Sequence, residues 1–314
     1  MSKIPLAGPR LGLLVALLMA SASAQPAEAP FVVVLGIGQD GGVPQTGDLD
    51  APGWSDPAYR RLVVSLGLVD PASGGRWLFE ATPDLPEQLV RLDAVAPRTE
   101  GPAVDGVFLT HAHIGHYTGL MFLGHESLGA RGVPVHAMPR MAAFLRTNGP
   151  WSQLVRYENV AIRELADGVP VPLAGGLSVT PLLVPHRQEF SEVVGYRIDG
   201  PDRSALFIPD IDSWHEWDDA GTRLEDVLAT VDVAYLDATF FADGEIPGRD
   251  MSGFPHPFIT TTMDRLADLP ARERAKVRFI HLNHTNPALW PGAAREAVEA
   301  AGMRVAEEGE MVRL

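Results

Sequence analysis

The chain has 314 residues, enough for one large α/β domain or two small ones. Hydrophobic residues make up 46% and charged residues 21%, which predicts a packed core and excludes global disorder. A net charge of −15 with no Lys/Arg-rich run excludes a basic footprint for nucleic acid or anionic lipid, and the absence of cysteine excludes disulfides, thiolate ligands and thiol nucleophiles.

Residues 1–24 have the order of an export signal. Lys3 and Arg10 supply the positive region, residues 11–20 form an apolar run, and Ala22-Ser23-Ala24 offers the small-x-small cleavage pattern before Gln25. The run is too short to span a bilayer as a mature helix. No cysteine follows it for lipidation, and no twin-arginine pair precedes it, so the chain is expected to cross unfolded and take up any metal outside. The expected organisation is a signal peptide at 1–24, a Pro/Ala/Glu spacer at 25–30 and one domain at 31–314. The mature protein is expected in the periplasm or secreted, off the membrane, with a small molecule as its partner.

Phe31–Gly36 reads as a buried strand, broken by the glycine-rich stretch Gly36–Gly42. No G-x-G-x-x-G fits that stretch, so a tight loop near the active centre is expected and a dinucleotide site is not. Leu62–Leu66 and Trp77–Phe79 are further strands, and Leu85–Leu92 is a helix. Val107–Thr110 is a strand that runs into a histidine cluster, and a helix starts near His116. Leu177–Val184, Val193–Ile198 and Ala205–Ile208 follow as consecutive strands, then Val231–Leu236 and Val277–Leu282, each after a helical stretch. Paired strands come first and strands interleaved with helices later, with no internal repeat and no domain boundary after residue 31.

The strongest chemical signal is Thr110-His111-Ala112-His113-Ile114-Gly115-His116. His111 and His113 leave a strand end on the same side because the side-chain period there is two, and His116 sits where the chain turns into a helix. His186, Asp210 and His281 each follow an apolar strand, where α/β sites collect. Without cysteine, a metal must be held by imidazoles and carboxylates, which suits zinc, iron or manganese.

This order of residues resembles the metallo-β-lactamase superfamily, and implies its four-layer αββα sandwich. The resemblance implies that His111, His113 and His186 form one metal site, that His116 and His281 form a second, and that Asp210 bridges them. Within the superfamily the chain looks most similar to the branch of the pyrroloquinoline quinone biosynthesis protein B. The stretches that carry this are Val34–Gln45, Asp237-Ala238-Thr239-Phe240, Met251–His256 and Phe279–Pro287.

One position departs from the pattern. The superfamily's H-x-H-x-D-H has Asp where this chain has Gly115. Either the second site is empty, or Asp212 or Asp40 substitutes, or His116, His281 and Asp210 serve alone, as a set of two histidines and a carboxylate like that of non-haem iron oxygenases. From the sequence, one tight metal and a weak or absent second are expected, with Gly115→Asp raising second-site occupancy.

The resemblance implies hydrolysis of a small ester, lactone, amide or phosphodiester by a metal-activated water. Zinc is the expected metal, as one or two ions, with Fe2+ or Mn2+ as alternatives. Asp210 would orient the water and act as base. His284 is a candidate proton-transfer or supporting group, or a loop histidine bonded to backbone. His256, held between two prolines, is a positioned pocket wall or part of a rigid loop. His125, His136 and His215 read as ordinary. The competing readings are an iron oxygenase or carrier linked to the quinone branch, and a periplasmic binder without turnover.

Overall fold

Strand β1, Phe31–Gly36, is apolar on both faces: Val32 and Val34 pack into one buried cluster, Val33 and Leu35 into another. Such a strand must lie inside a sheet covered on both sides. The computed structural model describes residues 29–314, so the expected signal peptide and residues 25–28 of the spacer lie outside the described residues.

The strands following β1 are β2 (Ser65–Asp70), β3 (Gly75–Phe79), β4 (Gly106–Phe108), β5 (Val133–Ala137) and β6 (Val160–Glu164). Then come β7 (Val171–Pro172), β8 (Ser178–Leu183), β9 (Val194–Asp199), β10 (Ser204–Ile208), β11 (Val233–Asp237), β12 (Val277–Ile280), β13 (Arg304–Val305) and β14 (Met311–Arg313). The first sheet has the order β14-β1-β2-β3-β4-β5-β6 and the second β13-β12-β11-β10-β9-β8-β7. In each sheet antiparallel pairs give way to parallel ones, from β3 onward in the first and from β10 onward in the second. Parallel neighbours need crossovers, and these supply the helices on the outer faces.

Helices Leu85–Val95, Pro139–Thr147 and Trp151–Arg156 cover the first sheet, burying Leu85, Leu92, Met141, Leu145 and Leu154 with Val33, Leu35 and Val107. Helices Trp214–Asp219, Ile259–Leu266 and Ala293–Ala300 bury Trp214, Trp217, Ile259, Leu266 and Val298 in the cluster that contains the second sheet. The two sheets meet through aromatic rings: Phe79, stacked 5.3 Å from its neighbour Phe108 in the first sheet, lies 5.5 Å from Tyr196 and 6.1 Å from Phe207 of the second, centroid to centroid. Each such pair contributes about 0.5–1.5 kcal/mol beyond its buried area. The architecture is the expected αββα sandwich.

The expected strand at Leu62–Leu66 begins later, at Ser65. The register of β1 against β2 shifts between Val34 and Gly36, and a Cβ on Gly36 would lie 2.0 Å from the Val63 carbonyl oxygen. The chain therefore bends at Gly36, and Leu62 and Val63 turn their N–H groups to Glu308 and Asp84. Strands β5, β6, β7, β13 and β14 are not among those expected from the sequence. The ends of β3, β4, β10, β11 and β12 deliver their next residues to one rim, the place where open parallel sheets bind ligands.

Candidate metal centre

Thr110 and His111 follow β4 by two and three residues, just past Phe108, which packs edge-on against Tyr196 of the second sheet. His113 is extended (φ −86°, ψ 148°) and its carbonyl accepts the His116 N–H at 3.0 Å, so the chain turns into the short helix Ile114–Tyr117 and swings His116 back. His186 lies three residues beyond β8, Asp210 two beyond β10, and His281 one beyond β12. Glu80, one residue beyond β3, has φ 77°, His281 φ 67° and His256 φ 84°. Three of the four non-glycine residues with positive φ among the described residues thus belong to this rim, and such conformations persist only where the surroundings impose them.

Three overlapping sets of donor atoms converge; one is Asp210, Asp237, His256 and His281, and the other two hold the residues the sequence singled out. In the first of these two, His111 Nε2 is 2.9 Å from His113 Nδ1, which is 3.1 Å from His186 Nε2. Asp210 Oδ2 lies 3.3 Å from both His111 Nε2 and His186 Nε2. A tetrahedral ion with bonds of about 2.0–2.1 Å separates its ligands by about 3.3–3.4 Å. Unprotonated ring nitrogens facing one another at these distances have no hydrogen bond to share, and a cation between them relieves the repulsion. In the second set, Asp40 Oδ1 is 3.0 Å from His116 Nε2 and 3.3 Å from His281 Nε2, and Asp210 Oδ2 is 3.5 Å from His116 Nε2. Both quartets satisfy the mutual spacing that a metal requires, and the same oxygen of Asp210 belongs to both.

The other ring nitrogens are held in place. His111 Nδ1 donates to Thr110 Oγ1 (2.9 Å), which donates to Glu80. Likewise His281 Nδ1 donates to Thr239 Oγ1 (2.9 Å), which donates to Asp237 (2.8 Å). His116 Nδ1 faces Glu80 at 3.2 Å, His186 Nδ1 faces Asp212 at 2.6 Å, and His113 Nε2 faces Glu189 at 3.0 Å. An oxygen on the far nitrogen fixes the tautomer and leaves a lone pair aimed at the centre.

Charge is balanced locally. Burial, opposed by the hydrogen bond to Asp210, holds His111 well below the usual histidine range, and burial likewise lowers His113 despite Glu189. Burial alone would also lower His116 and His186. Glu80 and Asp40 reverse this for His116, and Asp210 with Asp212 pushes His186 up to about 9. Burial would raise Asp40 and Asp210, yet the surrounding imidazoles hold both well below the carboxylate range, and His256 brings Asp237 down to about 2. The carboxylates therefore stay ionised and demand positive charge among the rings, a demand that a divalent cation meets.

His111, His113, His116, His186, Asp210 and His281 all converge, as the sequence led one to expect. His284 does not join them. It makes no hydrogen bond to any of the six, and its Nδ1 is buried without a partner. Of the two candidates for the missing carboxylate, Asp212 is engaged on the far side of His186, while Asp40 stands beside Gly115 at the second set. His256 is central: its Nδ1 lies 2.8 Å from Asp237 and 3.1 Å from Asp210, and it lines a cleft of about 660 Å³ together with Arg187 and Phe254. Glu80 and Thr110 were not foreseen as participants. Glu80 carries no sequence signal beyond ending a strand, since its positive φ exists only in the fold.

Residues 75–282 match the family model of the β-lactamase superfamily domain. The coenzyme PQQ synthesis protein B of Methylobacterium nodulans is 29% identical over 310 residues, covering 90% of this chain and 99% of that protein. The crystal structure of Zn(2+)-bound PqqB from Methylobacterium extorquens has a TM-score of 0.75 at 24% identity, covering 90% of this chain and 100% of that one. A diphosphatase from the PhnP family has a TM-score of 0.64 at 23% identity, covering 91% and 98%. The two structural likenesses establish a shared fold.

Proposed function

This chain belongs to the β-lactamase superfamily, and on that premise we propose that it is an exported metal-dependent hydrolase of a small ester, lactone, amide or phosphodiester. The observation that carries the reading is the first ligand set: three imidazole nitrogens and one carboxylate oxygen, neighbouring atoms 2.9–3.3 Å apart, each ring braced from behind. The donors suit zinc, which when bound supplies a Lewis acid and brings a coordinated water toward a pKa of ~7.

The chain's own residues account for the rest of the chemistry. Asp210 Oδ2 is shared between the two sets, while its Oδ1 is buried and accepts no hydrogen bond. His256 Nδ1 approaches that oxygen at 3.1 Å but directs its proton to Asp237 at 2.8 Å. Asp210 Oδ1 is therefore a free acceptor inside the centre, suited to hold one hydrogen of the attacking water and orient its lone pair toward the substrate. The cleft bordered by His256, Arg187 and Phe254 is the substrate's approach.

The end-to-end similarity to coenzyme PQQ synthesis protein B supports a small-molecule substrate connected with cofactor synthesis. An iron oxygenase rested on two histidines and one carboxylate at the second set. Asp40 adds a second carboxylate there, which favours hydrolysis.

The test is elemental analysis of the purified protein, followed by turnover of chromogenic ester, lactone and phosphodiester substrates with zinc, manganese or iron, with oxygen uptake followed in parallel. Hydrolysis that disappears in His113→Ala is expected. Oxygen consumption with iron, and no hydrolysis under any metal, would overturn the reading.

A further inference from the structure

Gly115 sits between His113 and His116 in the short helix, and the space its missing side chain leaves is filled. A Cβ built on it would lie 2.4 Å from Asp40 Cα and 2.7 Å from both Asp40 Cβ and Cγ. Contacts that short do not occur, so a side chain at 115 and Asp40 in its present place exclude each other. The loop after β1 that carries Asp40 is fastened independently of its carboxylate. Gln39 N–H donates to the Leu282 carbonyl (2.8 Å), Leu282 N–H donates to that of Ile37 (2.8 Å), and the Asn283 amide donates to the Gln39 side chain. These anchors are the two residues immediately after His281. Asp40 Oδ1 is thereby aimed between His116 Nε2 and His281 Nε2.

We propose that Asp40 is the carboxylate ligand of a second divalent cation held with His116, His281 and Asp210, and that residue 115 is glycine to admit it. The proposal rests on the metal-dependent reading above but not on which bond the protein cleaves. It reassigns a ligand. Where the superfamily pattern draws this carboxylate from the His-x-His-x-Asp-His segment itself, here it comes from a loop 241 residues away from its partner His281. The charge and number of ligands are unchanged, so the second ion binds. What changes is its dependence on tertiary structure, because the site is complete only while the loop after β1 is docked on the segment after β12. A second ion therefore clamps the two ends of the domain together and raises the melting temperature in addition to the first.

The proposal reverses the effect that the motif alone suggests for Gly115→Asp. The new side chain displaces Asp40, and second-site occupancy falls. The experiment is zinc stoichiometry and affinity by competition with a chromogenic chelator, with melting temperatures in zinc and in excess chelator. The full mature chain is used as wild type, Asp40→Asn and Gly115→Asp. Asp40→Asn keeps the volume and loses the charge, so its melting temperature in chelator serves as the folding control. The expected result is two zinc ions per chain in the wild type and one in each variant, with the melting gain in zinc following the count. Two ions in Asp40→Asn, two in Gly115→Asp, or one in the wild type would each overturn the proposal. None of these outcomes depends on turnover, so they are distinct from failure of the hydrolase reading.

Discussion

Thr110→Val removes one hydroxyl from a fully buried position and replaces it with a methyl of the same shape. Thr110 Oγ1 accepts from His111 Nδ1 at 2.9 Å and donates to Glu80. A metal on His111 Nε2 forces the ring proton onto Nδ1, where the variant offers no acceptor. Leaving a buried N–H unpaired costs about 1–3 kcal/mol. Without metal the ring escapes this cost by carrying its proton on Nε2, which faces Asp210 Oδ2 at 3.3 Å. The penalty therefore falls mainly on the metal-bound state. At about 1.4 kcal/mol per tenfold, metal affinity should drop roughly 10–100-fold, the range seen when such supporting partners are removed. The metal-free protein should lose only about 1 kcal/mol, because Glu80 keeps its His116 contact at 3.2 Å. Chelator competition measures the first quantity and urea unfolding of the metal-free protein the second. Unchanged affinity with a large loss of metal-free stability would refute the reasoning and leave Thr110 a packing residue.

His113→Ala removes a first-set donor, so bound metal per chain should fall and the rise in melting temperature with zinc should shrink, as thermal shift with and without zinc will show. His136 stacks on Phe108 (4.3 Å between centroids), and burial, with Arg163 nearby, brings it down to about 4. Its folded value lies below its unfolded one, so stability is full above pH ~6.5 and falls as pH drops toward 4, by at most about 1.4 kcal/mol per unit. Subtracting the urea stabilities of His136→Leu from those of the wild type across this window isolates the slope, and a flat difference would contradict it. For the exported protein, mass spectrometry should find the N-terminus at or next to Gln25, and Met1 on the mature chain would reject the signal peptide.

The sequence by itself determined the strands that are buried on both faces and the candidate ligands that follow them. Uninterrupted apolar runs such as Phe31–Gly36 and Ala205–Ile208 have no alternative to a covered sheet, and a histidine or aspartate just past such a run can only project from its rim. His111, His186, Asp210 and His281 were legible for this reason, and His113 and His116 from their spacing after His111. Tertiary structure alone decided what supports them. Glu80 reaches His116 and, through Thr110, His111 only because β3 and β4 pair in parallel. Asp237 reaches His281 and His256 only because β11 ends beside β12 and a positive φ turns His256 inward. Gly115 read alone is a missing ligand. Its meaning changes when the loop after β1 docks on the segment after β12 and places Asp40 in the vacated volume. Local sequence records which side chains leave a strand end. It does not record which distant backbone arrives there, because that is fixed by how the two sheets close on one core.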